Sequence, residues 1–209
     1  MVFILVAFIF AMSIPKIGRR DVIPLQLYLG ITLVVEIIGI INIHALHRNM
    51  NLLLSITDLV GFPLGVWFYQ RRIPNFSKLA AGAITFAFVC LGLINLFFFQ
   101  GLHAFNSYTS AIGCIGFVGL SITYSLVLLR QSIINISKLG MYWINAAILF
   151  YYMGIFWFVL LVDYLVRFLN SNLITLLMMH HCFGIMFYST LGIGLIKLRR
   201  EYLSRVFTV

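Results

Sequence analysis

Residues 51–100 read NLLLSITDLVGFPLGVWFYQ, then RRIPNFSK, then LAAGAITFAFVCLGLINLFFFQ. Two apolar runs of 20 and 22 residues flank a gap of eight that holds Arg71, Arg72, Pro74 and Lys78. A helix rises about 1.5 Å per residue, so each run can cross a hydrocarbon core about 30 Å thick. Arginine pairs are costly inside that core, and Pro74 breaks the helix, so the chain turns at the membrane edge. A connection this short makes the two runs antiparallel neighbours.

The same alternation extends in both directions. Apolar periodicity and breaker residues predict spans over about 1–15, 23–46, 50–70, 79–100, 106–129, 141–168 and 172–197. The separators are Pro15 with Gly18, His47-Arg48-Asn49, the 71–78 gap, Gly101, Ser137 with Gly140, and Asn170-Ser171-Asn172. Alternate gaps and the C-terminus carry Lys16, Arg19, Arg20, Arg71, Arg72, Lys78, Arg130, Lys138, Lys197, Arg199, Arg200 and Arg205, twelve of the fourteen basic residues. Only Arg48 and Arg167 fall on the other side. Basic residues are retained on the cytoplasmic side, so the expected fold class is all-α: a seven-helix polytopic bundle with its N-terminus outside and its C-terminus in the cytoplasm. Segment 1–15 is the shortest. Read as a signal peptide it lacks a basic n-region and a small-residue cleavage site, so a short first helix is the expectation. A six-span bundle in the same orientation is the alternative.

A chain of 209 residues that is 63% hydrophobic and 9% charged, with mean hydropathy +1.08, has no room for a sizeable soluble domain. A net charge of +9 would suggest nucleic acid in a soluble protein, but here it collects at helix ends beside anionic headgroups. The expected setting is therefore the lipid bilayer of a cell membrane, with no nucleic-acid partner. Cys90, Cys114 and Cys182 lie inside apolar runs with neither disulfide nor metal-knuckle spacing, and read as small packing residues.

Lipid does not press helices together, so small and polar residues mark the faces that meet. Such stripes run through Asn51, Ser55, Asp58, Gly65 and Tyr69; through Ser107, Ser110, Cys114, Ser121 and Ser125; through Tyr142, Asn145, Tyr152 and Asp163; and through His181, Gly184, Tyr188 and Gly192. Gly61-x-Pro63-x-Gly65 predicts a close approach or a kink. Ionisable residues within spans point to function by default. Helical rise places Glu36 about 12 Å in from His44, Asp58 about 10 Å in from Asn51, and His180-His181 about 12–14 Å in from Asn172. All four share one layer in the outer half, and all five histidines map to that half or its loops.

That layer has three readings: a structural network of carboxylates and imidazoles, a site for a metal or small ligand, or a proton sensor. Glu36, Asp58 and His181 are the metal candidates, since carboxylate and imidazole suit zinc or iron. Adjacent histidines point about 100° apart on a helix, which works against their sharing one ion. Imidazole titrates near neutral pH, which suits proton sensing. No phosphate loop, nucleophile elbow or His-Glu-x-x-His motif occurs. Lys197 lies too near the end of its span for a retinal linkage, and His180-His181 lacks the spacing of ceramidase-type hydrolases. No motif implies a cofactor or an enzyme.

Phe105-Asn106-Ser107-Tyr108, Tyr142-Trp143-Ile144-Asn145 with Tyr151-Tyr152, and HHCFGIMFYSTLGIGLIK over 180–197 together resemble a group of small seven-helix membrane proteins of Bacteroidetes-type bacteria. The likeness spans most of the chain, through short motifs. Its layout is similar to seven-helix sensory domains of bacterial receptors, which implies a sensor or partner subunit acting with a membrane or cytoplasmic signalling protein. The functional expectation is thus a non-enzymatic multi-pass protein that receives an outer-face signal through Glu36, Asp58, His180, His181 and Tyr188. A small-solute or ion transporter comes second, and an intramembrane enzyme third.

Overall fold

The computed structural model describes residues 2–42, 51–101, 106–131, 135–169 and 173–207, and within them leaves aside the side chains of 16–19, 162–169, 173–177, 179 and 205–207. Among the described residues seven α-helices follow one another: α1 Val2–Met12, α2 Lys16–Ile41, α3 Asn51–Gln70, α4 Lys78–Ile94, α5 Ser107–Arg130, α6 Gly140–Leu169 and α7 Leu173–Phe207. A π-helical turn, Asn95–Phe99, prolongs α4, and a 3-10 turn, Ile136–Lys138, leads into α6. Among the described residues there is no strand.

Six of these helices are long and apolar enough to cross a membrane, as expected of a multi-pass protein. The expected first span over 1–15 is a helix of only 11 residues, about 16 Å long, or half the hydrocarbon core. Two other boundaries also differ from the hydropathy reading. Helix α2 starts at Lys16 rather than 23 and carries Pro24 inside it. Helix α7 runs ten residues past 197, to Phe207. Hydropathy marks where the bilayer ends, whereas a helix satisfies its own backbone and continues beyond that edge. His44, His47, Arg48 and His103, and the side chains of Asp163 and Arg167, lie outside the described residues.

The helices close into a ring in the order α1, α2, α3, α5, α6, α7, with α4 outside in the angle between α3 and α5. Helix α1 packs on both α2 and α7. Small residues permit this: Ala7 and Ala11 are fully buried. The tightest crossing joins the start of α6 to α7, where a Cβ on Gly140 would collide with the backbone of Leu198 and Gly194. The Gly61-Pro63-Gly65 segment makes two close approaches. A Cβ at Gly61 would lie 3.2 Å from the Tyr28 ring, and one at Gly65 would overlap the Phe117 ring.

The ends that carry the basic residues are stitched together. Arg71 Nη1 donates to the Arg20 carbonyl at 2.6 Å, Arg72 Nη1 to that of Phe68 at 2.7 Å, and Tyr202 Oη to Asp21 Oδ2 at 3.0 Å. Lys197 Nζ and Trp143 Nε1 both donate to the Ser137 carbonyl, at 2.8 and 2.7 Å. Burial lowers the pKa of the Arg72 guanidinium, and the neighbouring Tyr124 and Asp21 raise it again.

Candidate functional site

Along the ring interior, hydrogen-bonded side chains form two layers separated by aromatic packing. Near the basic end, Tyr69 Oη donates to Asn145 Oδ1 at 2.8 Å and lies 2.7 Å from Ser121 Oγ. Asn145 Nδ2 donates to the Ser121 carbonyl at 3.1 Å and to Ser125 Oγ at 2.8 Å. Tyr69 and Ser121 are fully buried, so this network of α3, α5 and α6 is dry and satisfied.

Eleven residues back along both α3 and α5, about 16 Å toward the distal end, Ser110 Oγ donates to Asp58 Oδ2. Tyr28 Oη on α2 lies 3.4 Å from Tyr152 Oη on α6. Asp58 is within electrostatic reach of Tyr28, Cys114 and Tyr151. Glu36 is within reach of Tyr151, Tyr188 and His180. Tyr151 is thus within electrostatic reach of both carboxylates. Neither Tyr151 nor Tyr188 hydrogen-bonds through its hydroxyl among the described residues, and the buried Nδ1 of His180 has no partner.

Between the layers sits a cavity of about 30 Å³ with room for one or two waters. Its aromatic walls come from five helices: Tyr28, Phe68, Phe117, Tyr152 and Phe187. Phe117 stacks on Tyr152 at 4.1 Å and meets Phe62 edge-on at 5.4 Å. These rings lie between the Asp58–Ser110 contact and the Tyr69–Ser121–Asn145 layer.

Several expectations are redirected. The side chain of Glu36 is exposed rather than turned into the bundle. The reason lies in α1: on one stripe of α2, Val22, Gln26 and Leu29 are buried beneath its neighbours, while Ile37 and Ile40, beyond the level of α1, are 43% and 42% exposed. His181 is exposed and His180 half-buried against Phe158, ring centroids 5.5 Å apart. Asp58 takes Ser110, not an imidazole, as its partner. The metal candidates Glu36, Asp58 and His181 do not assemble, and among the described residues no three His, Cys, Asp or Glu groups are close enough to hold an ion. Asp58 turns toward α5 while His181 lies on the outer surface of α7. Tyr188 is half-buried on the Glu36 side.

The sequence reading missed Tyr28, although its i, i+4 spacing with Thr32 and Glu36 puts the three near one face. It also missed a cap at the distal end. Asn95 Nδ2 donates to Gln100 Oε1 at 2.7 Å, to Thr109 Oγ1 at 3.1 Å and to Asn106, while Gln100 Nε2 donates to Ser107 Oγ at 2.8 Å. A lone asparagine in the apolar 79–99 run was the available signal. No protein-family model, curated protein or solved structure matches this chain.

Proposed function

We propose that this protein is a membrane sensor or partner subunit without catalytic activity, whose distal chamber receives a small signal from the outer face. In this reading six full spans and the half-length α1 place the C-terminus in the cytoplasm and direct the N-terminus outward. The twelve basic residues at one end support that orientation. One observation carries the receptor reading: the buried polar atoms left without a partner among the described residues, His180 Nδ1 and Asn106 Nδ2, lie on the distal side of the aromatic layer, whereas Tyr69, Ser121 and Asn145 on the basic side are all hydrogen-bonded.

The transporter reading draws on a specific feature too. The Asp58–Ser110 and Tyr69–Ser121 layers lie at equal spacing on the same two helices, with the Phe117 ring between them as a gate would be. Thiol access separates the two. In a background lacking Cys90, Cys114 and Cys182, a cysteine replacing Ser110 should react with an impermeant thiol reagent applied at the outer face, and one replacing Ser121 should not. Labelling at Ser121 from that face favours the transporter, and failure to label at Ser110 overturns the chamber.

A further inference from the structure

We propose that the groove between α1 and α2 holds an acyl chain of an anionic phospholipid whose phosphate lies against Arg20 and Arg71. The groove measures about 570 Å³, within the roughly 300–1,000 Å³ of ligand-sized sites. Phe8 and Met12 line it from α1, and Leu27, Gly30, Val34 and Ile38 from α2. Its α2 side runs from Ile23 to Ile38, about 22 Å of helical rise. One leaflet is about half of a 30 Å hydrocarbon core, so a single extended chain fits along it. Gln26 is the only polar side chain in the lining, and its amide nitrogen already donates to the Ala11 carbonyl at 2.7 Å. What the groove offers a guest is therefore apolar contact. A second membrane helix is the other apolar occupant to consider. Helices that meet in lipid approach through small residues, whereas Leu27, Val34 and Ile38 are what this groove presents outward. Its one glycine is covered: a Cβ on Gly30 would stand 3.4 Å from the Phe8 ring. A thin, flexible chain fits such a surface better than a helix does.

The charges at the basic end of the groove identify the head group. Arg20 precedes Ile23 by one turn on the same stripe of α2, and its side chain is exposed. Arg71 Nη1 donates to the Arg20 carbonyl at 2.6 Å, which brings a second exposed guanidinium to the same spot. That guanidinium is steadied 5.0 Å over the Trp67 ring. Asp21, the adjacent carboxylate, accepts instead from the Tyr202 hydroxyl. Neither arginine has an ion-pair partner among the described residues. Two guanidinium groups side by side suit a phosphate, whose oxygens accept several N–H bonds at once. Apolar groove and paired arginines thus follow one another along α2 in the order of a phospholipid's chain and head group.

The test is native mass spectrometry of the purified, detergent-solubilised full chain, titrated with phosphatidylglycerol and phosphatidylcholine of identical acyl chains. The parent should bind one phosphatidylglycerol about tenfold more tightly than phosphatidylcholine, a preference that two charge-assisted contacts readily supply. Arg20→Gln combined with Arg71→Gln should abolish that preference. Arg130→Gln, at the end of α5 across the ring from α1, should keep it. Val34→Trp fills the groove from an exposed position and should weaken the binding of both lipids. If the double variant does not fold, Arg20→Gln alone, which leaves the bond from Arg71 to the backbone intact, should reduce the preference. If Val34→Trp does not fold, Leu27→Trp, also exposed, takes its place. Equal affinity of the parent for the two lipids, or an unchanged preference in the folded arginine variants, would overturn the proposal. So would a loss in Arg130→Gln as large as theirs, which would mean a diffuse basic surface. Lipid binding unchanged in the tryptophan variants would remove the chain from the groove. A parent dimer that Val34→Trp turns into a monomer would give the groove to a second copy and refute the lipid.

Discussion

Tyr69 shows how much a single residue carries in this bundle. Its hydroxyl joins α5 and α6 through Ser121 and Asn145, all inside a dry interior. Tyr69→Phe keeps the ring but leaves Asn145 Oδ1 without its donor, so it should lower stability by about 1–3 kcal/mol, read as thermal unfolding in detergent. Glycines separate by what surrounds them. At Gly194 a Cβ would meet the backbone nitrogen of Ile144 at 2.9 Å, whereas at Gly184 nothing lies within 4 Å. Gly194→Ala should therefore unfold at markedly lower temperature and Gly184→Ala should match the parent. His181 is exposed and bonds to nothing among the described residues, so His181→Ala should stay within about 0.5 kcal/mol of the parent. Any response of the protein to outer pH or zinc that uses this imidazole should weaken in that variant, as fluorescence titration of both proteins would show.

These residue roles were unequally legible. Asp58, Ser110 and Tyr69 announce themselves as polar groups at helical spacing in apolar runs. Their partners do not, because hydrogen-bond pairing depends on which helices adjoin, and loop lengths leave that open. Asp58 was expected near a histidine and found a serine. Of the helices that carry them, α5 packs on α3, whereas α7 packs on α6 and α1.

At the scale of elements, α1 is decisive. Its length sets how far α2 and α7 are covered, and hence why Glu36 is exposed. Its two fully buried alanines set how closely it can approach them. Replacing Ala7 with leucine should force α1 away and cost about 1–3 kcal/mol by overpacking, observable as a lower unfolding temperature. The π-helical turn Asn95–Phe99 has a comparable role at the other end. It widens the end of α4 so that Asn95 reaches Gln100 and the first turn of α5, and Gly101 then reverses the chain with φ +79°. No hydropathy pattern encodes such a turn, because its cause is the asparagine's partners.

The whole molecule is organised by an axis with basic, hydrogen-bonded helix ends on one side and Asp58 with Ser110 and Tyr28 toward the other. That polarity predicts topology. Reporter fusions after Arg72, Lys138 and Arg205 should read cytoplasmic, and fusions near Arg48 and Gly101 external. A C-terminal fusion that reads external would refute the orientation and move the proposed chamber to the cytoplasmic face.

Apolar run length and the placement of arginines determined by themselves that the chain is helical, that it suits a membrane and where it turns. Those properties follow from the bilayer, a solvent that acts on each segment separately. Tertiary structure alone decided the rest: that α1 stands between α2 and α7, that Asp58 meets Ser110, and that rings from five helices enclose one cavity. Azimuth and neighbour choice depend on packing among all the helices at once, and the order of residues in any one of them does not contain it.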